Sequence, residues 1–123
     1  MADFGKLLRS YREAAHVSMG ALARHLGVSV TYISDVERGT RAPLSKERIE
    51  AAAIFLKLTH EQERKIAAAA AESRGFYELG AANLPEPGKE AGATLMRGWP
   101  RYTETEFEKL KRFLDDLERE GNR

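Results

Sequence analysis

Between Ser18 and Lys46 the chain gathers the side chains best suited to touch a polyanion and read its surface. Val30 and the methyl of Thr31 offer apolar contact to a thymine C5-methyl, the Thr31 hydroxyl can donate or accept, and the Asp35 carboxylate can accept from a cytosine N4 amine. Ser29 and Tyr32 add two further hydroxyls. Arg38, Thr40, Arg41 and Lys46 follow, a cluster that can hold phosphates without reading sequence. The amides of Met19 and Gly20, where a helix begins, can bind a phosphate oxygen through free donors and the helix dipole. Each has a plainer alternative. The basic residues can be solvated charges, Asp35 can be solvated or pair with Arg38 or Arg41, and Tyr32 can pack against the protein instead of reaching a phosphate.

These groups need rigid elements to aim them, and the hydrophobic spacing supplies helices. Phe4, Leu7, Leu8, Tyr11 and Ala15 form one stripe of a first helix, expected over about 3–15. Ser18 caps a second helix, Met19 to Leu26, that stops at Gly27. Ser29 caps a third, Val30 to Arg38, with Ile33 and Val36 inward and Gly39 at its end. Ser45 opens a fourth, which places Ile49, Ala52, Ala53 and Leu56 on one side. Thr59 and Gln62 form a capping box at the start of a fifth, alanine-rich helix.

From Gly75 to Gly98 the chain holds five glycines and two prolines, and reads as a linker or irregular arm with a short helical turn before Met96. Thr103 and Glu106 form a second capping box and open a helix to about Glu120. Phe107, Leu110, Leu114 and Leu117 recur there at steps of three and four, a heptad-like stripe that Trp99, Tyr102 and Phe113 widen. Two heptads are too few to stand alone, so this helix must pack on the bundle or on a second copy of itself. The expected organisation is a DNA-binding domain over 1–74, a linker over 75–98 and a dimerising or partner-binding helix over 99–123. Phe107, Leu110, Phe113, Leu114 and Leu117 form the expected dimer interface.

With Met19 as its first position, the segment meets every spacing of a helix-turn-helix: apolar Leu22, small Ala23 where two helices cross, apolar Leu26, Gly27 at the turn, then Val28, Ile33 and Val36. The runs Ala21-Leu22-Ala23, Leu26-Gly27-Val28-Ser29 and Tyr32 to Gly39, followed by Pro43, resemble the phage Cro and repressor family, also called XRE-like. The resemblance covers roughly the first half of the chain. It implies an all-α, lambda-repressor-like five-helix bundle that binds double-stranded DNA, usually as a homodimer. It also implies a structural ion pair between Arg12 and Glu37. In such motifs the start of the third helix enters the major groove, which directs Ser29, Val30, Thr31 and Asp35 at the bases. The sequence departs from the family at Met19, where a glutamine often braces the phosphate.

Composition narrows the remaining possibilities. There is no cysteine among 123 residues, which excludes disulfides, thiolate zinc sites and cysteine nucleophiles. Residues 1–60 carry nine Lys/Arg against six Asp/Glu and residues 61–123 eleven against thirteen, so the front is +3 and the remainder −2. A +3 bundle is a modest polyanion binder, and two copies on one duplex would double its contacts. The longest apolar runs are six residues, far short of a membrane span. The N-terminus has no signal-peptide pattern, and a cytoplasmic location is expected. His60-Glu61 opens like a zinc-protease helix, but Arg64 stands where the second histidine belongs, so no enzyme, metal or cofactor is expected. A transcriptional repressor acting as a homodimer on a palindromic operator is the leading expectation. The rival is an antitoxin- or adaptor-like regulator whose last helix binds a protein partner. Phe4 to Leu8, Ser34 to Gly39 and Ser45 to Ile49 are also similar to regulators paired with ImmA/IrrE-type metallopeptidases.

Overall fold

A computed structural model describes residues 3–121, and every regular element among them is helical. Two compact units divide the chain, Met1–Glu78 and Leu79–Arg123. The first holds α1 (Phe4–Ala14), α2 (Met19–Leu26), α3 (Val30–Arg38), α4 (Lys46–Phe55) and α5 (His60–Arg74). The second holds α6 (Glu86–Gly98), a 3-10 turn (Trp99–Arg101) and α7 (Glu104–Gly121).

Side-chain caps set where the helices of the first unit begin. Asp3 accepts from the Gly5 and Lys6 amides, Ser18 from Ala21, Ser29 from Tyr32, Ser45 from Arg48 and Thr59 from Gln62. Each cap satisfies an amide that has no partner inside its own helix. Gln62 completes the capping box by accepting from the Thr59 amide at 2.9 Å. Leu8, Leu22, Ile33, Leu44 and Val36 are fully buried at the centre of one core, to which Phe4, Ala23, Ile49, Ala52, Leu56 and Ile66 belong. Packing joins α1 to α3 and α5, α2 to α3 and α4, and α4 to α5. A Cβ on Gly5 would lie 2.5 Å from the carbonyl oxygens of Val36 and Glu37. The α1 backbone therefore lies directly against the end of α3, a closeness only glycine permits.

The segment expected as an irregular linker instead contains the 13-residue helix α6. Its two prolines do not break it. Pro85 is the N-cap and Pro87 falls in the first turn, where helix amides have no internal partner, so the missing N–H costs nothing. Thr103 opens α7 as expected, accepting from the Glu106 amide at 3.2 Å while Glu106 accepts from the Thr103 amide at 2.9 Å. No helix among the described residues is long and apolar enough to cross a membrane.

Candidate nucleic-acid interface

The α2-turn-α3 geometry is set at Gly27, which ends α2 in the left-handed region at φ 70°. The Val28 amide donates back to the Ala23 carbonyl at 2.9 Å, closing a turn of three residues before α3 starts. Side chains with a Cβ rarely adopt that φ, so glycine stabilises the turn directly. Ala23 is buried beside it, and its small side chain lets α2 and α3 meet. The result holds the first turn of α3 at the surface: Ser29, Val30 and Thr31 are all exposed. Val30 and Thr31 therefore present methyl groups and one hydroxyl outward. Ser29 already accepts from the Tyr32 amide at 3.0 Å and keeps its hydroxyl proton to donate.

The start of α2 adjoins this surface. Val30 Cγ2 lies 3.9 Å, and the Arg24 guanidinium 3.7 Å, from where a Cβ on Gly20 would sit. Arg24 thus folds back along its own helix and adds positive charge to the N-terminus formed by Met19 and Gly20. The Met19 side chain is half-buried and packs against the core, so only its amide remains for a phosphate.

Farther along α3, Asp35 forms an intramolecular ion pair with Arg38, one of the alternatives its position left open. Tyr32 is half-buried against the core, and its hydroxyl accepts from Arg48 Nη1 at 3.2 Å. The guanidinium carbons of Arg41 and Arg48 lie 4.9 and 5.3 Å from the centre of its ring, within cation–π range. Thr40 donates to the Asp35 carbonyl at 3.2 Å and closes the end of α3. Lys46 pairs loosely with Glu78 at 3.8 Å; both are exposed, and such pairs open readily.

Arg12 and Glu37 lock α1 to α3. Nε donates to Glu37 Oε2 at 2.7 Å and Nη2 to Oε1 at 3.0 Å, while Nη1 donates to the Val17 carbonyl at 2.9 Å. Their side chains are only 10% and 5% exposed. The hydrogen bonds to Glu37 push the Arg12 pKa above its ordinary value, against the opposing effect of burial. The guanidinium stays charged and faces inward, so the pair holds α3 in place and is not available to bases.

A known helix-turn-helix domain matches residues 3–66, half of the chain. The chain belongs to the helix-turn-helix domain family. Two Mycobacterium tuberculosis proteins, from strains CDC 1551 / Oshkosh and ATCC 25618 / H37Rv, are each named an uncharacterized HTH-type transcriptional regulator, and each is 59% identical over 39 residues. That stretch is 32% of this chain and spans 28% of each relative. No solved structure matches.

Within this helix-turn-helix domain the structure adds two residues that sequence reasoning missed, Arg24 and Arg48. The signal for Arg24 was its place four residues after Gly20, on the same helical face. Arg48 had none in the sequence, because its link to Tyr32 crosses from α4 to α3. The groups at Phe107, Leu110, Phe113, Leu114 and Leu117 lie on α7 in the other unit, where Phe113, Leu114 and Leu117 are exposed.

Proposed function

We propose that this helix-turn-helix protein is a DNA-binding transcriptional regulator that reads duplex DNA through the first turn of α3. The observation carrying this reading is the exposure of Ser29, Val30 and Thr31 on a turn locked by Gly27 and by the buried Arg12–Glu37 pair. Val30 and Thr31 make the base contacts, Asp35 and Tyr32 border them, and Ser29, Thr40, Arg38, Arg41, Lys46 and the amides of Met19 and Gly20 position the backbone. The protein acts in the cytoplasm as a repressor, with two copies on a palindromic operator. The stripe of Phe107, Leu110, Phe113, Leu114 and Leu117 joins them. The names of the two relatives support regulation as the role, and the modest charge of the bundle supports two copies over one.

Selection of bound duplexes from a random library, at near-physiological salt, tests this reading. A palindromic motif with half-sites one helical turn apart, roughly 34 Å, is the expected result. Failure to enrich any motif with folded protein overturns sequence reading and moves attention to a protein partner for α7.

A further inference from the structure

Within the second unit, the apolar face of α7 is left open past its first turns, and no residue of this helix is fully buried among the described residues. Leu114 and Leu117 are each about half exposed, at 49% and 48%, and Phe113 is 61% exposed. At its start the stripe is covered by rings: Phe107 meets Trp99 edge-on at 4.9 Å and Tyr102 at 5.5 Å. An open groove runs from these rings past Leu110 to Leu114.

With Phe107 and Leu114 as the first apolar positions of two heptads, and Leu110 and Leu117 as the second, the flanking positions become specific. Glu106 and Phe113 precede the stripe residues on one side, and Lys111 and Glu118 follow on the other. In a parallel pair each preceding residue meets the one five positions later in the second copy. Glu106 then faces Lys111 of the second copy, twice by symmetry, and Phe113 lies along the stem of Glu118. In an antiparallel pair overlapping both heptads, like meets like: Lys111 faces its own copy at the centre and Glu104 faces Glu118 on either side. Contact of Phe113 with its own copy is the one antiparallel gain, set against five repulsive contacts once Glu106 facing Glu120 on either side is included.

We infer that the second copy lies parallel to α7 and in register, with Glu106 of each chain paired to Lys111 of the other. The inference rests on the homodimer reading above and specifies its orientation. Both groups have capacity for this. Glu106 uses one carboxylate oxygen in its capping box, and the Lys111 ammonium contacts the two oxygens of Asp115 at 3.0 and 2.9 Å but has three protons to place.

The 123 residues contain no cysteine, which makes the test direct, because one introduced thiol is the only one among them. Leu110→Cys and Leu114→Cys proteins are oxidised separately and then as a mixture, with sedimentation run alongside. Parallel pairing gives disulfide-linked dimers from each protein alone. Cross-linking only in the mixture, position 110 to 114, overturns the parallel orientation and leaves the dimer standing. Wild-type protein that sediments as a monomer overturns the homodimer reading itself. A second set of variants does not depend on the substituted core. Glu106→Lys and Lys111→Glu should each raise the dimer dissociation constant roughly tenfold. Mixing the two, or combining both changes in one chain, should restore it. No restoration on mixing overturns the Glu106–Lys111 pairing.

Discussion

Removing the Glu37 carboxylate should cost the bundle much of its stability, because it strands a charge the fold has already taken out of water. Arg12 makes two of its three hydrogen bonds to Glu37, with a side chain only 10% exposed. In Glu37→Ala the guanidinium keeps, among the described residues, one hydrogen bond, to the Val17 carbonyl, and only the weaker pull of Glu13 for a counter-charge. Breaking a buried pair by deleting one partner costs about 3–5 kcal/mol. A bundle of this size is stable by only about 4–12 kcal/mol, at roughly 0.05–0.15 kcal/mol per residue. Urea unfolding followed by circular dichroism reads the change. With a slope of about 1 kcal/mol per M, the midpoint should fall by about 3 M or more, to the edge of the unfolded state. The companion variant Arg12→Met/Glu37→Leu removes both charges and fills similar space, and should recover most of the loss. A midpoint shift below about 1 M for Glu37→Ala refutes the claim that the pair is buried and essential. A double variant as weak as the single one refutes the claim that the stranded charge causes the loss.

Thr31→Ala should change base preference, at about 1–3 kcal/mol of discrimination, whereas Arg41→Ala should weaken binding on every sequence and flatten the salt dependence by about one unit of slope; titration on several duplexes at several salt concentrations separates the two. Gly5→Ala should push its new Cβ into the carbonyls of Val36 and Glu37, 2.5 Å away, and backbone yields little. A loss of about 1–3 kcal/mol and a melting temperature lower by roughly 10 °C are expected by calorimetry. Hydrogen bonds at Thr103 hold the Glu106 carboxyl below its ordinary pKa. Its support for the start of α7 is therefore complete above the ordinary carboxylate range and fades as pH falls through the lowered value. Amide exchange at the start of α7 should show this fading in wild type, and Glu106→Gln, which keeps an acceptor but does not titrate, should flatten it.

Local rules written in the sequence determined most of the first unit. Caps at Ser18, Ser29, Ser45 and Thr59 start helices through bonds spanning three residues, and Gly27, Gly39 and Gly75 end them at positive φ. The spacing from Met19 to Val36 shows which faces turn inward, because only those faces bring the apolar residues together. The starting turn of α3 was legible for the same reason.

Interactions between elements distant in sequence needed the tertiary structure. His16 and Lys57 adopt positive φ, at 58° and 55°, with no glycine to announce it. The next residues, Val17 and Leu58, pack against the core, and that burial offsets the backbone strain. Arg48 showed only as a surface charge until folding placed it on Tyr32. Glycine and proline content argued against α6, although helix breakers act by position and these prolines stand where the first turn tolerates them. Sequence alone thus determined the helices whose signals are local. The closeness of Gly5 to α3 and the anchoring of Tyr32 were decided by packing, because each depends on where a side chain points once its neighbours have filled the space around it.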